Sequence, residues 1–166
     1  RYILDTYIRA EDSNVISEMG NMSLVELLLQ GKTTTPIDLV KGLPGNDTAK
    51  AETIENNLQH EIVKKMSSNS VYYGKLSEML KKIIMQRKIE AMSYEEYLRQ
   101  VVELAEAILH PETSGSYPNE IKDSAARRAL YDYFEQNVEL TIDVDGAIRV
   151  SIQPEWKRNF QKQQRI

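Results

Sequence analysis

Seven lysines and arginines lie between residues 57 and 89, against only Glu61 and Glu78. Lys64, Lys65, Lys75, Lys81, Lys82, Arg87 and Lys88 could meet phosphates, and Tyr72 and Tyr73 could stack on bases. That is the chemistry of a nucleic-acid grip. Tyr72 also belongs to an apolar helical stripe, however, and the lysines spread over flanks and back rather than one narrow face. A solvated helix surface therefore competes with the grip. The tail "PEWKRNFQKQQRI" is the second basic segment, with Trp156 and Phe160 among four bases. Its aromatics could equally pin a terminal helix to the body. Lys81, Lys82, Arg87, Lys88, Lys157 and Arg158 are accordingly the candidate DNA or partner contacts.

Other chemistries find fewer residues. His60 and His110 are fifty positions apart, without HExxH or a Cys/His cluster, so no transition-metal site is expected. His60 reads as a surface helical residue and His110 as a helix end, where a cation is favoured. "GLPGN" at 42–46 lacks the GxxxxGK[ST] pattern that cradles phosphates and reads as a turn. There is no GxSxG. Glu95, Glu96, Glu103 and Glu106 lie on the polar side of a patterned helix, whereas a general acid or base needs a carboxylate perturbed by burial or a neighbour. "DVDG" opens like a calcium loop, but the twelfth position from Asp143 is Pro154 rather than glutamate. No catalytic, cofactor-binding or metal-binding residue is expected in this chain.

The elements behind these residues are mostly helical. Ser23–Glu26 and Thr35–Asp38 have the spacing of capping boxes, the first launching "SLVELLLQ" with Gly31 as a stop. Asp47 or Thr48 can cap the next helix, which repeats Ile54, Leu58, Ile62 and Met66 every four residues, with Ala51 and Val63 beside them. "SSNS" at 67–70 breaks it. A second long helix sets Tyr72, Leu76, Met79, Leu80, Ile83 and Ile84 to one side. Ser93–Glu96 forms a third capping box, opening a helix that buries Tyr94, Tyr97, Leu98, Val101, Val102, Ala105, Ile108 and Leu109. Residues 110–123 read as a loop, with two prolines and a Gly-Ser pair. A further helix turns Ala126, Ala129, Leu130, Tyr133 and Phe134 inward.

Composition bounds the class. The 166 residues fit one domain with a substantial core, 41% hydrophobic and 28% charged. No apolar run approaches the roughly 20 residues that cross a bilayer, and "RYILDTYIRAED" is no signal peptide. The absence of cysteine removes disulfides and thiolate chemistry and fits a cytoplasmic setting. A net charge of −4 argues against a surface that attracts DNA everywhere, but the charge comes in blocks: +5 over 57–89, −8 over 90–153, +3 thereafter. Such blocks can complement a partner or simply alternate as solvated faces. A chain starting at Arg1 and stopping at "QKQQRI" reads as a piece of a longer polypeptide.

One segment points two ways. In "VELTIDVDGAIRVSIQ", Leu140, Ile142 and Val144 alternate before Asp145-Gly146, and Ile148, Val150 and Ile152 after it. That favours a β-hairpin at 138–152. Leu140, Val144, Ala147 and Ile148 also share one helical face.

Five phrases together carry a resemblance. "YIRAED", "AETIENN" at 51–57, "YYGKLSEMLKKIIMQRKIEAMSYEEYL" at 72–98, "RALYDYF" at 128–134 and "VDGAIRVSIQPEWKRN" resemble, in order, the C-terminal helical region of the restriction (R) subunit of type I restriction–modification enzymes. None of the five is a catalytic motif. The resemblance implies a single all-α domain over 1–166, a compact array of antiparallel amphipathic helices. It implies that nuclease and ATP-driven motor domains lie elsewhere in the parent, an ATP- and Mg²⁺-dependent site-specific deoxyribonuclease. No catalytic, ATP or Mg²⁺ residue carries over to these positions. The implied role is docking the motor subunit onto methyltransferase (M) and specificity (S) subunits near the DNA path, with no membrane involved. It also favours a helix at 138–152, despite the roughly 1 kcal/mol that Gly146 costs there relative to alanine.

Overall fold

The computed structural model describes residues 43, 45–114 and 117–152. The capping boxes at 23–26 and 35–38, Trp156, Lys157, Arg158 and Phe160 fall outside them. Among the described residues there are seven helices and no strand. They are α1 (Asp47–Lys65), α2 (Ser70–Lys88), α3 (Tyr94–Leu109), α4 (Pro111–Ser114), α5 (Asn119–Lys122), α6 (Ala125–Tyr133) and α7 (Val138–Ser151).

The first three build an up-down-up bundle. Glu55, early in α1, pairs with Arg87, late in α2, so these two run antiparallel. The Tyr72 hydroxyl, at the start of α2, donates to the Ala107 carbonyl near the end of α3. The Tyr97 hydroxyl reaches the Ala51 carbonyl, and Lys65 Nζ reaches the Ile108 carbonyl, so α1 and α3 run together. The core is the stripe the spacing predicts: Ala51, Ile54, Leu58 and Ile62 meet Leu76, Leu80 and Ile83 of α2 and Tyr97, Leu98, Val101 and Ile108 of α3. Each fully buried aliphatic side chain contributes about 1.5–3 kcal/mol, so this stripe dominates stability.

Details at the helix edges differ from expectation. Val63 and Met79 are exposed, because helical spacing places them beyond the width of the buried face, while Tyr73 is buried in their stead. Leu104 completes the α3 stripe. Asn46, not Asp47 or Thr48, caps α1, its Oδ1 accepting from the Ala49 N–H at 2.9 Å. Just before it Gly45 adopts φ 98°, and a Cβ there would come within 2.9 Å of the Ala49 Cβ. Ser93 caps α3 by accepting from the Glu96 N–H, but the Glu96 carboxylate turns to Arg99 and Gln100 instead of closing the box.

The predicted loop at 110–123 folds into two single helical turns, α4 and α5. Proline begins α4, where its missing N–H costs nothing, and Ile121 of α5 is fully buried. Helix α6 turns Tyr131 inward and leaves Tyr133 exposed, the reverse of the sequence expectation. Ser124 caps this helix, and from that start the ring of Tyr131 falls against Tyr117 at 5.9 Å.

Residues 138–151 are helical, so the hairpin favoured by local alternation does not form. Asn137 caps the helix through the Leu140 N–H, and the Thr141 hydroxyl returns to the Asn137 carbonyl. Asp145, the turn residue of a hairpin, instead accepts from Arg149 one helical turn on (2.9 Å) and from Arg127 of α6 (2.7 Å). That pairing replaces the apolar burial that would have ordered two strands. Thr141 and Asp145 are the buried residues of α7, while Leu140, Ile142, Ile148 and Val150 stay partly or wholly exposed.

Candidate interaction surfaces

The structure disperses the basic cluster. Arg87 is withdrawn from the surface: Nε and Nη2 grip both oxygens of Glu55 at 2.7 and 3.1 Å, with side chains 14% and 8% exposed. Its Cζ also sits 5.7 Å from the Tyr97 ring centroid, a cation–π contact. Lys65 is spent on the Ile108 carbonyl and Lys81 on Glu78 at 2.7 Å. Lys75, Lys82 and Lys88 remain exposed on α2. Tyr72 and Tyr73 donate to the carbonyls of Ala107 and Ile108, with rings edge-to-face at 5.2 Å. They are a joint between α2 and α3, not a free stacking platform. His60 is exposed on α1, and His110 forms the C-cap of α3 with its ring 3.3 Å from Glu112.

The joint extends into the α5–α6 layer. Asp132 of α6 accepts from Asn69 Nδ2 and from the Tyr117 hydroxyl, both at 2.6 Å. Burial, reinforced by the Asp132 charge, pushes the Tyr117 phenol up. The Tyr72 and Tyr117 rings are 6.3 Å apart. A small recess of about 80 Å³ lies beside this joint, between Asn69, Tyr73 and Arg128.

A larger groove of about 460 Å³ opens between α2 and α3. Met79 and Ile83 face Leu104 and Ala107 across its floor, and Met79 is 49% exposed. Lys82 and Gln86 form one lip, Arg99, Gln100 and Glu103 the other. Arg99 is saturated by Glu96 (2.6 and 2.9 Å) and Glu103 (2.6 Å). Hydrogen bonds from Arg99 and Gln100 bring the Glu96 carboxyl down to about 2. Lys82 forms no ion pair among the described residues, although its charge acts on Glu78 one turn earlier in α2.

Three buried carboxylates, Glu55, Glu61 and Asp145, escaped the sequence reading, and Glu61 pairs with Lys64 at 3.5 Å. Glu55 falls on the Ala51–Leu58 stripe, and an acid on an apolar face requires a cationic partner. That was the available signal for the Glu55–Arg87 pair. Asp145 gave none, because its Asp-Gly context pointed to a turn. Among the described residues no group of three His, Cys, Asp or Glu side chains is placed to hold a metal, and no helix is long and apolar enough to cross a membrane. No protein-family model matches the chain, and no curated protein or solved structure proves similar to it.

Proposed function

We propose that this chain is a non-catalytic assembly domain, docking an ATP-dependent DNA translocase/nuclease subunit onto a methyltransferase–specificity core. One observation carries the reading: five phrases in the order of type I restriction R subunits, of which "AETIENN" lies in α1, the 72–98 phrase covers α2 and the start of α3, and "RALYDYF" ends α6. The test is a pull-down of the folded chain with the methyltransferase–specificity complex. Binding without ATP hydrolysis or DNA cleavage by the chain alone is the expected result. A folded chain that binds nothing in this assay removes the reading.

A second reading, a DNA-contacting element that guides the duplex, draws on Lys75, Lys81, Lys82 and Lys88, all exposed on α2. It expects affinity for duplex DNA that falls steeply with salt. Substituting Lys81, Lys82 and Lys88 with alanine would abolish that affinity while leaving Arg87 in its structural pair. A flat titration at low salt excludes it.

A further inference from the structure

Helix α7 gives polar residues to the body and leaves apolar ones outside. Thr141 and Asp145 are its buried residues, whereas Leu140 and Ile148 are 42% and 40% exposed. Helical spacing gathers Leu140, Val144, Ala147 and Ile148 into one stripe. Glu139 and Asp143, one turn apart along its edge, are exposed and form no ion pair among the described residues. The sequence directly after α7 has the matching chemistry. Trp156 and Phe160 are four positions apart, the spacing that shares one helical face. Pro154 suits the first position of a helix and Glu155 its first turn, with Lys162 and Arg165 toward the other end, where cations are favoured. Four bases stand against the one acid, Glu155. The route is short as well. The C-cap Ile152 leaves α7 extended at ψ 116°, and a residue before proline, here Gln153, is steered away from the helical region. A break of two residues is enough to join antiparallel helices.

We propose that residues 154–165 fold back as a strap on the outer face of α7, with Trp156 and Phe160 covering the Leu140–Ile148 stripe. The strap's bases then stand beside Glu139 and Asp143. Lys157 and Arg158 are thereby engaged within the chain instead of being offered to nucleic acid. The occupant follows from the tether and the charge. A segment joined this closely has an effective concentration on the order of millimolar, above that of a second copy in dilute solution. Its net positive charge complements the acidic edge, which would repel a phosphate backbone. The proposal is independent of the assembly reading and stands or falls without it.

Trp156 is the single tryptophan of the chain, so its fluorescence reports the strap alone. The experiment records the emission of the complete chain as wild type, Ile148→Asp, Ile148→Ala and Val150→Asp, with circular dichroism verifying that each is folded. Val150, 88% exposed and off the stripe, is the control. The wild type is expected to emit to the blue of free tryptophan and to hold that position on serial dilution. Both Ile148 variants are expected to shift the emission to the red, and Val150→Asp to leave it in place. Alanine is a better helix former than isoleucine, so Ile148→Ala decides if the aspartate variant loses α7. Wild-type emission at the position of free tryptophan overturns the proposal. So does a blue-shifted emission that folded Ile148→Ala leaves unmoved, since Trp156 then packs elsewhere. A blue shift that fades on dilution, with a dimer in sedimentation, gives the face to a second copy and likewise overturns it.

Discussion

Glu55 and Arg87 face each other across the α1–α2 seam, joined by two hydrogen bonds of 2.7 and 3.1 Å in a nearly dry setting. The planar guanidinium matches the carboxylate fork, and the Tyr97 ring closes the third side. The pair fixes which ends of α1, α2 and α3 come together.

Removing one partner strands the other. Arg87→Ala is expected to cost about 3 kcal/mol in urea-denaturation stability, since it leaves Glu55 charged and buried. Arg87→Lys restores only part of it, because an ammonium cannot span both oxygens. An unchanged midpoint for Arg87→Ala would contradict the buried pair.

Tyr94 lies against Tyr97 with ring centroids 5.8 Å apart, and its buried hydroxyl has no hydrogen-bond partner among the described residues. A buried donor without a partner costs about 1–3 kcal/mol. Tyr94→Phe keeps the ring and removes that cost, so its thermal midpoint should equal or exceed the wild type's. A marked drop would reveal a partner for the hydroxyl.

Gly146 sits inside α7 at an exposed position where an added Cβ meets nothing within 4 Å. Gly146→Ala should therefore stabilise by about 0.5–1 kcal/mol and raise the helical circular-dichroism signal. Were the segment a hairpin in solution, the same substitution would remove a turn glycine and destabilise.

The Asp145 carboxyl is held below the usual aspartate range by the hydrogen bond from Arg149 and then by Arg127, against the opposing effect of burial. A folded value below the unfolded one means the stabilisation is present above about pH 4 and disappears as pH falls through the folded value. Hydrogen exchange of α7 amides should accelerate over that acid range in the wild type. Asp145→Asn should show fast α7 exchange already at pH 7 and lose this part of the pH dependence.

The bundle was legible because its stripes are long and apolar: Ile54, Leu58 and Ile62, or Tyr97, Leu98, Val101 and Ile108, leave one way to pack. Helix ends were less so. Helices α2 and α6 stop at Glu90 and Glu135 with φ of 54° and 53°, left-handed positions normally given to glycine. The Ala91 and Gln136 N–H groups close the motifs onto Gln86 and Tyr131. No glycine announced either stop. Arg87 was misread as an exposed cation because composition cannot tell a lysine-rich solvent face from an arginine one turn off it. Helix α7 was ambiguous because its decisive contact, Asp145 with Arg127, spans two helices.

The latch of α7 has a consequence for how this protein comes apart. Grease holds the first three helices, but ionic fastening of Asp145 to Arg127 holds the last one to α6. Concentrated salt or acid well below pH 4 should thus peel the final helix away as an independent cooperative unit while the remaining trunk stays intact, giving unfolding in two waves.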